Sequence, residues 1–220
     1  MYRSRTKIVL TGGPCSGKTS LLHPLADEFR RRGFAVVTVP ESATELILSG
    51  VSASSCGSVD VFQKLLMKHQ LDKEAVYEEA AERIAAVSGL PMLIICDRGL
   101  TDSKAFMTPG AFGRAAADLG KTEEELLLAY DAVFHLTTAA CSGTGSYTLE
   151  DNPARTESEE ESAILDKKIS EVWSGHPERQ VIGFTPDIGE KLAALVSAIS
   201  CLISRRSPRV PRADLPACSP

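Results

Sequence analysis

Short apolar runs alternate along this chain with longer stretches in which apolar positions recur every three or four residues. Runs of the first kind predict β-strands and stretches of the second kind predict helices. Their alternation predicts βαβ units around a parallel sheet, an α/β fold of three layers. The strand segments are 7–11, 34–39, 92–96, 132–137 and 179–184. They are almost continuously hydrophobic, as strands covered by helices on both faces are.

Helices are expected between them. The first runs from Lys18 to Arg32 and stops at Gly33, with Pro24 inside it expected to weaken or kink it. A short helix is expected at 43–49. A long one covers 58–87, where Val61, Leu65, Leu66, Val76, Ala80, Ile84 and Val87 make a helical stripe. Thr122-Glu123-Glu124-Glu125 is a capping-box pattern opening a helix that ends near Tyr130, and Thr156-x-x-Glu159 opens another lasting to Trp173. Gly175 and Pro177 stop that helix, and the last helix spans 187–204. Residues 138–156 are rich in Gly, Ser and Thr and read as a mobile loop, the first part of a lid over about 138–174.

Composition narrows the picture. At 220 residues and 43 % hydrophobic content, one domain over 1–204 is expected. Residues 205–220 carry four prolines and four arginines and read as a disordered tail. A net charge of −5 does not favour nucleic acid as a partner. The six cysteines at 15, 56, 96, 141, 201 and 218 show neither metal-ligand nor disulfide spacing. No apolar run reaches the roughly 20 residues of a transmembrane segment. With no secretory pattern at the N-terminus, a cytoplasmic protein is expected.

The chemistry concentrates where the first strand ends. Gly12-Gly13-Pro14-Cys15-Ser16-Gly17-Lys18-Thr19 is a complete G-x-x-x-x-G-K-T phosphate loop (the Walker A pattern), with Ser20 following in the helix. Glycines let successive backbone N–H groups turn inward on phosphate oxygens, and the helix that starts there adds its positive end. Lys18 reaches the β/γ-phosphates and the Thr19 hydroxyl would ligate Mg²⁺. ATP or GTP is the expected ligand.

Strand 92–96 leads into Asp97-Arg98-Gly99, at the sheet edge where ligands of open α/β sheets gather. Asp97 reads as a metal-holding acid, or as a cap of the following helix. Arg98 reads as a phosphate contact, or as a structural ion pair. Glu41, after strand 34–39, reads as a carboxylate facing a small-molecule acceptor, or as part of a helix cap with Ser42. Arg155 is the only arginine in its loop and stands among acidic residues. It reads as a lid residue closing on the transferring phosphate, or as a salt-bridge partner of those acids. Gln63 and Gln70 would wall the acceptor site. His23, His69, His135 and His176 have no ligand spacing.

These motifs together resemble the P-loop domain shared by NadR-type nicotinamide riboside kinases and the TRPL translocation defect proteins. The matching pieces are 7–19, Val39-Pro40-Glu41-Ser42-Ala43-Thr44, Cys96-Asp97-Arg98-Gly99, Tyr130-Asp131 with His135, and Thr138-Ala139-Ala140. Arg155, and Trp173 with Gly175-His176-Pro177, complete them and place the chain nearer the translocation-defect branch. The resemblance implies a kinase-like sheet of order 2-3-1-4-5 and ATP or GTP binding. In that branch it also implies GTP and phospholipid binding linked to membrane trafficking. That branch usually carries a second, C-terminal domain, for which this length leaves no room. Val181-Ile182-Gly183-Phe184-Thr185 departs from the Asp-Asn pattern of relatives, leaving ATP and GTP both open. Two functions therefore stand side by side. One is phosphoryl transfer to a small acceptor or to water; the other is a nucleotide-gated switch recruiting phospholipid or protein.

Overall fold

Five parallel strands form one sheet in the order β2-β3-β1-β4-β5 in the computed structural model, which describes residues 5–138 and 159–206. The strands are β1 (Arg5–Thr11), β2 (Ala35–Val39), β3 (Met92–Asp97), β4 (Ala132–Leu136) and β5 (Arg179–Ile182). Register pairs Leu10 with Asp97 and Thr11 with His135, so β1, β3 and β4 end level with one another. The order is the one that the kinase-like reading implies.

The pleat sends alternate residues of the central strands into two cores. Ile8, Leu10, Leu93, Ile95, Phe134 and Leu136 pack with α1 (Lys18–Arg31) and α7 (Ile188–Arg206). Val9, Ile94, Cys96 and Val133 face the other way. There they meet α3 (Val59–Ser88), α4 (Ala111–Asp118), α5 (Glu123–Leu127) and α6 (Glu159–Val172). The edge strands β2 and β5 are only partly buried, and β5 stops before Gly183.

Pro24 does not break α1. It lies on the solvent face, where water can satisfy the carbonyl that loses its N–H partner, while Leu21, Leu25, Ala26 and Phe29 hold the other face to the sheet. The Thr122 capping box is formed as the pattern requires, Thr122 and Glu125 each satisfying the other's backbone N–H. A 3₁₀ turn at Leu100–Ala105 and helix α4 have no counterpart in the sequence pattern, because each is too short to show a period. Helix α2 (Ser42–Leu48) starts one residue before the expected boundary, and α7 runs two residues past it, to Arg206.

The largest departure is in α3. Its bounds fall within one residue of the expectation, but its expected stripe is not the face it buries. Of that stripe only Leu66 is buried, and Val61, Leu65, Val76, Ile84 and Val87 are exposed. The buried face carries Phe62, Met67 and Ala81 together with Gln63, Gln70 and Glu74. A polar ridge thus lies against the sheet, and a search for apolar period alone rotates past it. Arg155, the loop over 139–156, the Thr156 cap and the tail from 207 on lie outside the described residues.

Candidate functional site

The phosphate loop crosses the carboxyl end of the sheet between β1 and α1. Two of its glycines are demanded by space. A Cβ on Gly12, where φ is 142°, would lie 2.2 Å from the Leu136 carbonyl oxygen. One on Gly13 would lie 2.8 Å from Cβ of Asp166. Pro14 and Ser16 are buried in the loop, and Cys15 sits at a φ of 55°. Only Cys15 and Arg98, at 70°, are non-glycine residues with positive φ among the described residues, and both belong to this edge. Backbone strain of this kind collects where a site requires it.

Lys18 is buried under the loop, its Nζ donating to Gly12 O (2.8 Å), Gly13 O (2.9 Å) and Ser16 Oγ (2.9 Å). Burial, with the charge of Arg98 adding to it, brings the Lys18 ammonium down to about 8. Gly17, at the helix N-cap, precedes Thr19 and Ser20, whose side chains are exposed on the first turn of α1. Thr138 donates to the Pro14 carbonyl, and Lys191 donates to the carbonyls of Ser16 (2.8 Å) and Thr137 (3.0 Å). The loop is therefore braced from β4 and α7 as well as from its own helix.

Asp97 ends β3 beside the loop. It does not precede an α-helix, and its Oδ1 is buried without a hydrogen-bond partner. Burial pushes its carboxyl up, against the pull of Lys18. An orphaned, desolvated carboxylate oxygen is a donor for a hard cation. Among the described residues no cluster of three metal-binding side chains forms a cage. Mg²⁺ does not require one, since it commonly takes one or two protein oxygens, with water and phosphate supplying the rest. Asp97 and the Thr19 hydroxyl fit that role.

Arg98 links three elements. Its Nε donates to Glu41 Oε1 at 2.5 Å, and its Nη1 reaches Gly12 O at 3.3 Å and Asp102 Oδ2 at 3.4 Å. Its own backbone is held by Leu10 O (3.0 Å) and by the Gln70 amide on the Arg98 carbonyl (3.2 Å). Burial would raise the Glu41 carboxyl, but Arg98, the Thr44 hydroxyl and Lys18 override it and bring it down to about 2. Glu41 stands at the N-cap position of α2 without capping it by its side chain, so its carboxylate belongs to Arg98 and Thr44.

Asp102 and Asp166 are the residues that motif reading missed or undervalued. Asp102 Oδ1 accepts from Thr11 (2.7 Å) and from Trp173 Nε1 (2.5 Å), joining the 3₁₀ turn to β1 and to the end of α6. Asp166 Oδ1 accepts from Gly13 N (2.6 Å) and lies 3.2 Å from His135 Nε2. The only sequence signal for Asp102 is its place one turn after Arg98. Asp166 follows no motif, and it joins His135 to the loop backbone. Two more histidines hold structural positions: His69 meets Glu45, and His176 meets the Tyr130 carbonyl. Trp173 is fully buried, the aromatic anchor its place before Gly175 suggests.

Among the described residues no helix is long and apolar enough to cross a membrane. No curated protein matches the chain. A family model described as an AAA domain matches residues 7–191, from the head of β1 to the lysine of α7 that braces the loop. A P-loop domain of this kind points to nucleotide binding, and by that match the chain belongs to the AAA domain family.

Proposed function

We propose that this protein transfers the γ-phosphoryl group of ATP or GTP to a small acceptor, or slowly to water, in a Mg²⁺-dependent reaction. The observation that carries the reading is the Glu41–Arg98–Asp102 bridge. It fixes the ends of β2 and β3 against Gly12, next to Lys18 and the unpartnered Asp97. Lys18, exchanging the loop carbonyls for phosphate oxygens, neutralises charge on the β/γ-phosphates. Bound Mg²⁺ would neutralise phosphate charge from Asp97 and Thr19. Arg98 holds the loop entrance, and Glu41 keeps the Arg98 side chain in place while facing the acceptor side. Arg155 serves as the lid residue over the transferring phosphoryl group. Residues 12–20 cradle the nucleotide phosphates.

The resemblance to the translocation-defect branch of NadR-like domains supports a second reading, a GTP-gated switch for phospholipid or protein partners. The Asp166–Gly13 contact favours it, since α6 is thereby tied directly to the phosphate loop. Phosphorus NMR with ATP or GTP, Mg²⁺ and a panel of hydroxyl acceptors separates the two. A phosphorylated acceptor is expected for the transferase. Nucleotide consumption that no acceptor accelerates, with liposome binding that follows the nucleotide state, would put the switch first.

A further inference from the structure

Two side chains from other elements hold carbonyls of the phosphate loop, and neither belongs to its motif. Lys191 Nζ, on α7, donates to Ser16 O at 2.8 Å and to Thr137 O at 3.0 Å. Thr138 Oγ1, just past β4, donates to Pro14 O. Both residues are buried, Lys191 3 % and Thr138 0 % exposed. A trans peptide is planar and points its N–H opposite to its C=O. The Pro14 carbonyl shares a peptide with Cys15 N–H, and the Ser16 carbonyl shares one with Gly17 N–H. Anchoring these two carbonyls toward β4 and α7 turns both N–H groups the other way, to the concave side of the loop.

We propose that Lys191 and Thr138 are positioning residues of the phosphate loop, which aim the Gly17 and Cys15 N–H groups at the nucleotide phosphates by anchoring the carbonyls of the same peptides. The backbone agrees. Cys15 (φ 55°) and Gly17 (φ 87°) are both left-handed, the conformation that gathers nearby N–H groups into an anion nest. For Cys15, which has a Cβ, that conformation is costly and persists only where its surroundings fix it. The Thr138 bond to the preceding carbonyl is such a restraint. Lys191 brings charge as well as geometry: its ammonium is buried, held by carbonyls and 5.7 Å from the Phe184 ring. A buried ammonium is costly, and an anion on the far side of the Ser16 carbonyl offsets that cost. This bracing rests on the nucleotide-binding part of the reading above and serves a transferase and a switch equally.

Proton–nitrogen NMR of the full chain, titrated with Mg²⁺ and tripolyphosphate and then with non-hydrolysable ATP and GTP analogues, reads each N–H separately. In the wild type the Cys15 and Gly17 amide signals should shift. Lys191→Met should remove most of the Gly17 shift and keep that of Cys15. Thr138→Val should do the reverse, and Thr138→Ser should restore the Cys15 response. Each loss should weaken tripolyphosphate and both analogues alike by about tenfold, the scale of one hydrogen bond. A merely structural role would lower Tm and leave the two amides responding alike. The Thr138 pair decides the matter even where Lys191→Met does not fold. Wild-type responses in both variants, joint loss of the two signals in either one, or unchanged affinity in both would overturn the bracing. A wild type whose two amides ignore tripolyphosphate and both analogues would remove the phosphate site itself. Absence of phosphoryl transfer with the selective shifts intact supports the bracing and counts against the reaction.

Discussion

The two ends of the polar ridge on α3 are built from the same kinds of residue and finished differently. At Glu74 every group is closed. Lys7 Nζ lies 2.6 Å from Glu74 Oε2 and 2.5 Å from Glu78, while Gln70 (2.8 Å) and the Tyr130 hydroxyl (2.9 Å) donate to Glu74 Oε1. Tyr130 accepts from Leu100 N in turn (2.9 Å) and lies under the Lys7 ammonium. Burial alone would lower the Lys7 ammonium, but Glu74 and its neighbours hold it above its usual value. Eleven residues earlier, about 16 Å along the helix, Gln63 is as deeply buried and has no partner for its amide oxygen. The first end is paired within the chain and holds α3 to β1. The second lies two helical turns before Gln70, whose amide meets the Arg98 carbonyl just past the end of β3. Burial is alike at the two ends; completeness of pairing separates them.

That contrast breaks most visibly at Glu74. Glu74→Ala leaves buried Lys7 with Glu78 alone and strands the Gln70 and Tyr130 donors, which should cost about 2–4 kcal/mol and lower Tm by roughly 10 °C. Nucleotide affinity should stay within about twofold of wild type by calorimetry on the folded protein. Joint replacement by Lys7→Met and Glu74→Leu should recover most of the stability. A Tm unchanged by Glu74→Ala would mean that the closed end is not a structural clamp.

Lys18→Ala should behave oppositely. Nucleotide affinity should fall at least about 100-fold, near 2.7 kcal/mol. Thermal stability should hardly move, because the ammonium bonds only to loop carbonyls and one loop hydroxyl. Calorimetry at wild-type affinity would remove the phosphate site. Arg155→Ala should reduce turnover by about 100-fold with ground-state affinity kept, if its charge serves the transition state. As an ion-pair residue it would change stability by about 1 kcal/mol or less and leave turnover alone.

Asp97→Asn carries the smallest expected effect and sharpens the contrast most. The Mg²⁺-dependent gain in nucleotide affinity should drop by about tenfold, while affinity in EDTA stays put. Equal losses in both conditions would assign Asp97 to the closed kind of site.

Strand positions, the longer helices and the phosphate loop were legible in the chain because they rest on local rules. A buried parallel strand needs a continuous apolar run, and a loop that wraps phosphate needs glycine where a Cβ would strike Leu136 or Asp166. The capping box at Thr122 is likewise a matter of four residues. Partnership is not local. Glu41 and Arg98 are 57 residues apart, Thr11 and Asp102 91 apart, and Gly13 and Asp166 153 apart, and no spacing announces them. The rotation of α3 belongs to the same class. Its sequence offers an apolar stripe, yet the fold buries the glutamines and Glu74, because Lys7, Tyr130 and the Arg98 carbonyl wait on the sheet side. The sequence by itself determined where the sheet lies and where phosphate can bind. Only the tertiary structure decided which buried polar groups are satisfied, since that depends on atoms brought together from distant segments.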